Sequence, residues 1–317
     1  MSGSKLNLVR VWGGIALQRD RINTDAGRGR PTILRRSFVG LICVFIAARS
    51  YAAGEAAAKT APTLYVVADS TAASNAEFTG WGDAIKPYFD STKLTIVNCS
   101  MGGTSSHTYF LRADWENLIC AKIRPGDFVL IQFSLAEKNP IAAARVPGSL
   151  PGIGTESSDA VLPDGKVDHV QTYGSYIRKF VADARRKGAT PILITSTPPN
   201  AWHAGNFRAA EAAPDAWLRQ VGREESVVVL DLFVALSDEY QRLGPGIVRT
   251  FFPRDHIHTN RKGADVTASL IVALLANDPE NELNNFLSKE GNAVVPDLKR
   301  PKVKFKLARI LTDTPPN

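Results

Sequence analysis

Three short stretches of this 317-residue chain hold residue types suited to nucleophilic catalysis. The first is Ala68-Asp69-Ser70-Thr71, directly after the apolar run Thr63–Ala68. A serine delivered by a buried strand stands at the sheet edge, where its hydroxyl can meet a substrate. The plainer reading is a helix N-cap, since Asp and Ser are favoured there. The second stretch is Phe252-Pro253-Arg254-Asp255-His256-Ile257-His258-Thr259. A serine nucleophile needs a base, and the base needs a carboxylate to orient it. Asp255 and His258, three apart on one turn, can both face Ser70: His258 takes the Ser70 proton on one ring nitrogen and Asp255 holds the other. His256, adjacent to Asp255, points elsewhere. A zinc site on Asp255, His256 and His258 is the weaker reading, because His107, His169 and His203 are scattered and no C-x-x-C occurs. No metal and no cofactor is expected. The third stretch is Gly102-Gly103-Thr104-Ser105. Acyl transfer needs N–H donors aimed at the developing oxyanion. The backbone N–H groups of Ser70 and Gly103 are the candidates, because glycine lets an amide approach a substrate closely. A turn glycine is the equally plain alternative for Gly103.

These stretches need a scaffold that brings distant loops together. Short apolar runs at Thr63–Ala68, Leu94–Asn98, Phe128–Phe133, Pro191–Thr195 and Val227–Asp231 read as five buried strands. Helical patterns over Arg112–Ile123, Tyr173–Lys187 and Gly263–Ala276 alternate with them. In the second helix Tyr176, Ile177, Phe180, Val181 and Ala184 share one face, and Gly188 ends it. Strands alternating with helices predict a three-layer α/β sandwich around a parallel five-stranded sheet. In such a sheet the chemistry lies past the carboxyl ends of the strands. The turns at 69–71, 100–106 and 134–139 meet that condition. Residues 138–169 are rich in Pro, Gly and Ser and read as a long ordered insertion.

Charge narrows the function classes. Of 38 basic and 31 acidic residues, 10 and 3 fall within residues 1–60, which leaves 28 of each in the rest. The net charge of +7 therefore belongs to the N-terminus, and no nucleic-acid partner is expected. Arg35-Arg36 precedes an apolar run of eleven residues, Phe38–Ala48, followed by small residues up to Ala53. Eleven residues are too few for a membrane span, which needs about 20. They match the core of a secretory signal, cleaved after Ala52. The long basic leader before it favours a translation start near Leu34. The expected organisation is a leader, signal and Ala-rich linker over 1–60, a catalytic domain over 61–277 and a charged extension over 278–317. The product is expected to be secreted or periplasmic, and monomeric. Cys99 and Cys120 remain after cleavage, and the unpaired reading is preferred over a disulfide.

Taken together and in this order, the blocks resemble the SGNH (GDSL-like) hydrolases, and among them the rhamnogalacturonan acetylesterase family. The resemblance runs from about Leu64 to Ala276 and includes Gly80-Trp81-Gly82, Lys187–Ile192, Thr197–Trp202 and Gly148–Gly154. It implies a flavodoxin-like fold, Ser70 as nucleophile, Asp255 and His258 as its partners, and Gly103 as the oxyanion glycine. One block departs. Where the family has G-x-N-D, this chain has Ser134-Leu135-Ala136-Glu137. The resemblance puts an oxyanion-donating Asn at Ala136, which has no side-chain donor. Losing one such donor costs on the order of 10²–10³ in kcat. Asn139 is a possible substitute. Trp81, Tyr173 and Trp202 are candidates for a sugar-facing cleft, with core packing as the plainer reading of each.

Two function classes follow. One is a secreted serine esterase that removes acetyl groups from pectic polysaccharide, or from another acyl ester, with a depleted oxyanion hole. The other is a catalytically weak or inactive carbohydrate-binding descendant of the same fold. The partner expected in either case is an acetylated polysaccharide or small acyl ester.

Overall fold

The computed structural model describes residues 61–112, 115–143, 145–161 and 165–298. The expected basic leader and signal, and residues 299–317, lie outside the described residues. β1 (Thr63–Ala68) is followed by a loop and the short helix α1 (Trp81–Ala84). β2 (Thr95–Asn98) leads to α2 (Ser106–Arg112). β3 (Phe128–Gln132) opens the insertion, which carries an antiparallel hairpin of β4 (Ser157–Val161) and β5 (Val167–Gln171). α3 (Tyr173–Arg186) returns the chain to β6 (Thr190–Ile194). A small hairpin, β7 (Trp202–His203) and β8 (Asn206–Phe207), precedes α4 (Ala213–Glu224) and β9 (Val228–Leu230). α5 (Leu232–Leu243), α6 (Pro245–Arg249), α7 (Arg261–Ala276) and α8 (Lys289–Leu298) follow.

The sheet is parallel throughout, in the order β2-β1-β3-β6-β9. All six residues of β1 and all five of β3 are buried, which is why they read as continuous apolar runs and not as alternating ones. Alternate side chains nevertheless go to different layers. Leu64, Val66, Phe128, Leu130 and Ile192 meet α1, α5 and α7 on one face. Tyr65, Val67, Val129, Ile131 and Leu193 meet α2, α3 and α4 on the other. The fold is the expected three-layer sandwich. β1 lies between β2 and β3, which makes its carboxyl end the switch point where sheets of this kind bind their ligands. Ser70 stands there.

Three stretches differ from the expectations. In place of the single helix expected over Arg112–Ile123, a helix is described over Ser106–Arg112. A wider turn over Trp115–Ile119 and a tight one over Cys120–Lys122 follow. Trp115, Ile119, Cys120 and Ile123 are still buried. Burial decides which residues face the core, and here the backbone widens to satisfy it; the Trp115 ring is pinned by its Nε1 donating to Asp183 Oδ2 at 2.8 Å. The insertion contains the β4–β5 hairpin. The first part of the charged extension packs on the body: Leu283 is fully buried, Phe286 O accepts from Asp90 N, and Ser288 N donates to Tyr88 O. Cys99 and Cys120 are both free. No helix among the described residues is long and apolar enough to cross a membrane.

Candidate active site

Ser70 follows β1, and its hydroxyl lies 2.9 Å from His258 Nε2. The opposite ring nitrogen, Nδ1, lies 2.7 Å from Asp255 Oδ2. The second oxygen of Asp255 accepts from the backbone N–H groups of Ile257 and His258, both at 2.7 Å. One carboxylate thus folds the turn that presents the imidazole and also holds the imidazole. Burial alone would raise the Asp255 carboxyl; the His258 ring and the two amides outweigh it and hold it below the usual carboxylate range. The turn is anchored at its far end, where Asn260 caps α7 by accepting from Gly263 N at 3.2 Å. The side chains of His258 and Asp255 are 25% and 36% exposed, so the group is open to substrate.

The residue before the serine is sealed. Asp69 is buried and accepts from Thr71 N at 2.9 Å and Thr71 Oγ at 2.8 Å. Burial raises its carboxyl above the ordinary range, against the pull of these donors and of the Ser134 amide. It fixes the turn on which Ser70 sits, and Ser70 alone of the pair is left reaching outward. Gly80-Trp81-Gly82 has a close-approach reason. A Cβ on Gly80 would stand 2.2 Å from the Ala72 carbonyl carbon, and one on Gly82 2.7 Å from Asn98 Oδ1. Only glycine lets this strand of chain press on the turn after Ser70. Asn98, at the end of β2, donates to Ala72 O and Asp83 Oδ2 and accepts from Ser100 N, so it ties the second loop to the first.

The Gly102–Gly103 loop lies beside the serine: a Cβ on Gly102 would be 4.0 Å from Ser70 Cβ. Gly103 has φ +67°, the left-handed region that a side chain disfavours. Ala136 sits in the tight turn 135–138 after β3, at the same end of the sheet. Its neighbour Glu137 is buried beneath the two loops. It accepts from Ser106 N at 2.5 Å, Ser106 Oγ at 3.1 Å and Ser149 Oγ at 2.5 Å. Burial pushes its carboxyl up to about 7 against these donors, and the Asp69 charge adds to the rise.

Several expected residues fall elsewhere. Trp81 is 1% exposed and donates its Nε1 to Gln132 Oε1 at 2.9 Å, under the sheet edge and not in a cleft. Tyr173 is fully buried in the opposite layer, its hydroxyl donating to Phe133 O at 3.0 Å. Neither can meet a sugar. Trp202 is half-buried, with its Nε1 on Asn200 Oδ1 and its ring against Phe207. The Asn139 amide donates one N–H to Val146 O at 2.9 Å, which ties its side chain to its own loop. His256 is exposed, and no group of three metal-ligating side chains occurs among the described residues. Two features were missed from sequence. Phe78 lies with its ring centroid 4.9 Å from that of His258. A further His–Asp pair joins the buried His107 to Asp168 of the inserted hairpin. Neither carries a local motif.

No family model matches the chain. Its relatives nevertheless agree. It is 29% identical over 208 residues to a rhamnogalacturonan acetylesterase of Emericella nidulans, covering 66% of this chain and 82% of that protein. It is 26% identical over 218 residues to the probable rhamnogalacturonan acetylesterase YesY of Bacillus subtilis, covering 66% and 89%. It is 25% identical over 249 residues to the rhamnogalacturonan acetylesterase RhgT of the same organism, covering 72% and 95%. Among solved structures, protein YxiM of Bacillus subtilis superposes with a TM-score of 0.57 at 22% identity, over 70% of this chain and 58% of that one. With this sheet order and these relatives, the chain is an SGNH hydrolase related to the rhamnogalacturonan acetylesterases.

Proposed function

We propose that the protein is a secreted carbohydrate acetylesterase acting on acetylated pectic polysaccharide, with Ser70, His258 and Asp255 as its catalytic residues. The observation that carries this reading is the ring of His258 held between Ser70 Oγ at 2.9 Å and Asp255 Oδ2 at 2.7 Å. In the reaction Ser70 Oγ attacks the acetyl carbonyl carbon, its proton passes to His258 Nε2, and the carbonyl electron pair moves to oxygen. Asp255 keeps the imidazole oriented and stabilises its charged form. Collapse of the intermediate expels the sugar alkoxide, which takes the proton back from His258. Water, activated by His258, then releases acetate from Ser70. The N–H groups of Ser70 and Gly103 serve the oxyanion. Ala136 adds no side-chain donor, so the hole is depleted at that position. No cofactor enters the scheme. The relatives' names support the acetylated-polysaccharide substrate, and the signal-like stretch over 38–53 supports export.

Ala136 favours a second reading, a carbohydrate binder that has lost its turnover. One experiment separates the two. Acetate release is measured from acetylated rhamnogalacturonan, acetylated xylan and a small aryl acetate, with wild type and Ser70→Ala. Release by wild type that vanishes in Ser70→Ala supports the esterase, and preference for the first polymer supports the pectic substrate. Binding of polymer with no acetate from any substrate supports the binder.

A further inference from the structure

The loop between Ser70 and α1 is fastened to the histidine turn although 180 residues separate them. Thr79 N donates to Thr259 O at 2.9 Å, and Thr259 Oγ returns a bond to Thr79 O at 3.0 Å. Arg254 Nη1 and Glu77 Oε1 pair at 2.8 Å across the same gap, both exposed. The loop is itself stiff. Asn75 Oδ1 accepts from Glu77 N at 2.8 Å and Phe78 N at 2.9 Å, Asn75 N donates to Phe78 O at 3.0 Å, and Gly80 N donates to Ser74 Oγ at 3.1 Å. These bonds aim one side chain. The Phe78 ring packs against the His258 ring, with centroids 4.9 Å apart and planes tilted by 34°. Phe78 is only half-buried, so an apolar side chain is held at the surface against the one imidazole that touches Ser70.

We propose that Phe78 is a positioning residue of this centre: its ring face holds the His258 imidazole in line with Ser70 and attracts the imidazolium formed when His258 takes the serine proton. The inference rests on the esterase reading above. Its physical basis is the negative face of an aromatic ring, which attracts a cation within about 6 Å of its centroid. Before proton transfer the ring is packing for the imidazole. At the step where the Ser70 proton reaches Nε2, the same contact faces a positive charge. An interaction that strengthens in the transition state raises kcat rather than lowering KM. At an exposed site it is worth roughly a two- to fivefold rate, to which loss of ring alignment adds.

The test compares Phe78→Leu, which keeps apolar bulk, with Phe78→Tyr, which keeps the ring face, on the full chain with a small aryl acetate. Ser70→Ala runs beside them. Phe78→Leu is expected to lower kcat about three- to tenfold with KM within about twofold, while Phe78→Tyr keeps kcat within about twofold of wild type. Circular dichroism melts of both variants show that the fold is kept. Equal kcat in Phe78→Leu and wild type overturns the proposal, as does an equal fall in Phe78→Tyr and Phe78→Leu. A change confined to KM assigns the ring to substrate contact and overturns it too. If Ser70→Ala abolishes activity while Phe78→Leu is fully active, only this inference fails. If Ser70→Ala is as active as wild type, or nothing is hydrolysed, the esterase reading fails and this inference with it.

Discussion

Three histidines among the described residues bond an aspartate, the exposed His169 with Asp159 included, and only His258 also meets a serine hydroxyl. His258 meets Asp255 through Nδ1 and Ser70 through Nε2. His107 meets Asp168 through Nε2 and the Gly148 carbonyl, at 3.1 Å, through Nδ1. The first ring is a quarter exposed; the second is 1% exposed and packs on Tyr176. A His–Asp bond is therefore no mark of an active site by itself. What matters is the partner of the remaining nitrogen. A serine hydroxyl there can lose a proton to the ring, whereas a carbonyl oxygen can only accept. His107 fastens helix α2, which follows the Gly103 loop, to the inserted β4–β5 hairpin.

This contrast can be broken by substitution, and the largest effect belongs to the open pair. Asp255→Asn is expected to lower kcat by about 10³–10⁴ with little change in Tm, because the ring loses its orienting charge at a partly exposed site. A stability loss with preserved kcat would put Asp255 in the same class as Asp168. Next, Ala136→Asn is expected to raise kcat by about tenfold through a restored oxyanion donor, in steady-state kinetics with an aryl acetate. An unchanged or lower kcat would mean that the turn at 135–138 does not face the carbonyl. His107→Phe is expected to cost about 2 kcal/mol, by leaving Gly148 O and Asp168 without their partner, while kcat changes less than about threefold. A denaturant melt and a rate measurement on the same sample check both halves.

The smallest effect concerns pH. Glu137 has its carboxyl raised from 4.5 to about 7 by burial, and Asp215, raised from 3.8 to about 6 by burial, acts in the same sense. The folded state therefore binds protons that the unfolded state has released between about pH 4 and 7. These two groups support the fold fully below that window and withdraw their support as pH rises through it. Tm is expected to fall from pH 5 to pH 8, and Glu137→Gln is expected to flatten that slope. A slope unchanged in Glu137→Gln would remove Glu137 as its source.

Much of this was legible in the sequence, for identifiable reasons. Strands covered on both faces have no choice but to be apolar along their length, so Thr63–Ala68 and Phe128–Gln132 stood out. Asp255 and His258 were legible as a pair because one turn of chain sets their distance. The β4–β5 hairpin was not, because only Ala160 and Val170 of its ten residues are buried and no apolar alternation survives. Trp81 and Tyr173 show that an aromatic residue near a motif does not say which side of the sheet it faces. Phe78 was invisible for a different reason. Its contact with His258 is made by a loop whose shape depends on Asn75, Ser74 and Thr259, and no spacing rule links residue 78 to residue 258.

In the proposed reaction Ser70 is the nucleophile and His258 its base. The most direct measurement is labelling of the full chain with a fluorophosphonate, read by mass spectrometry of the peptides, in wild type, Ser70→Ala and His258→Ala. The expected result is an adduct on the Ser70 peptide of wild type, none in Ser70→Ala, and labelling slowed by orders of magnitude in His258→Ala, where the serine has lost its base. An adduct on another serine, or ester hydrolysis that persists in Ser70→Ala, would contradict it.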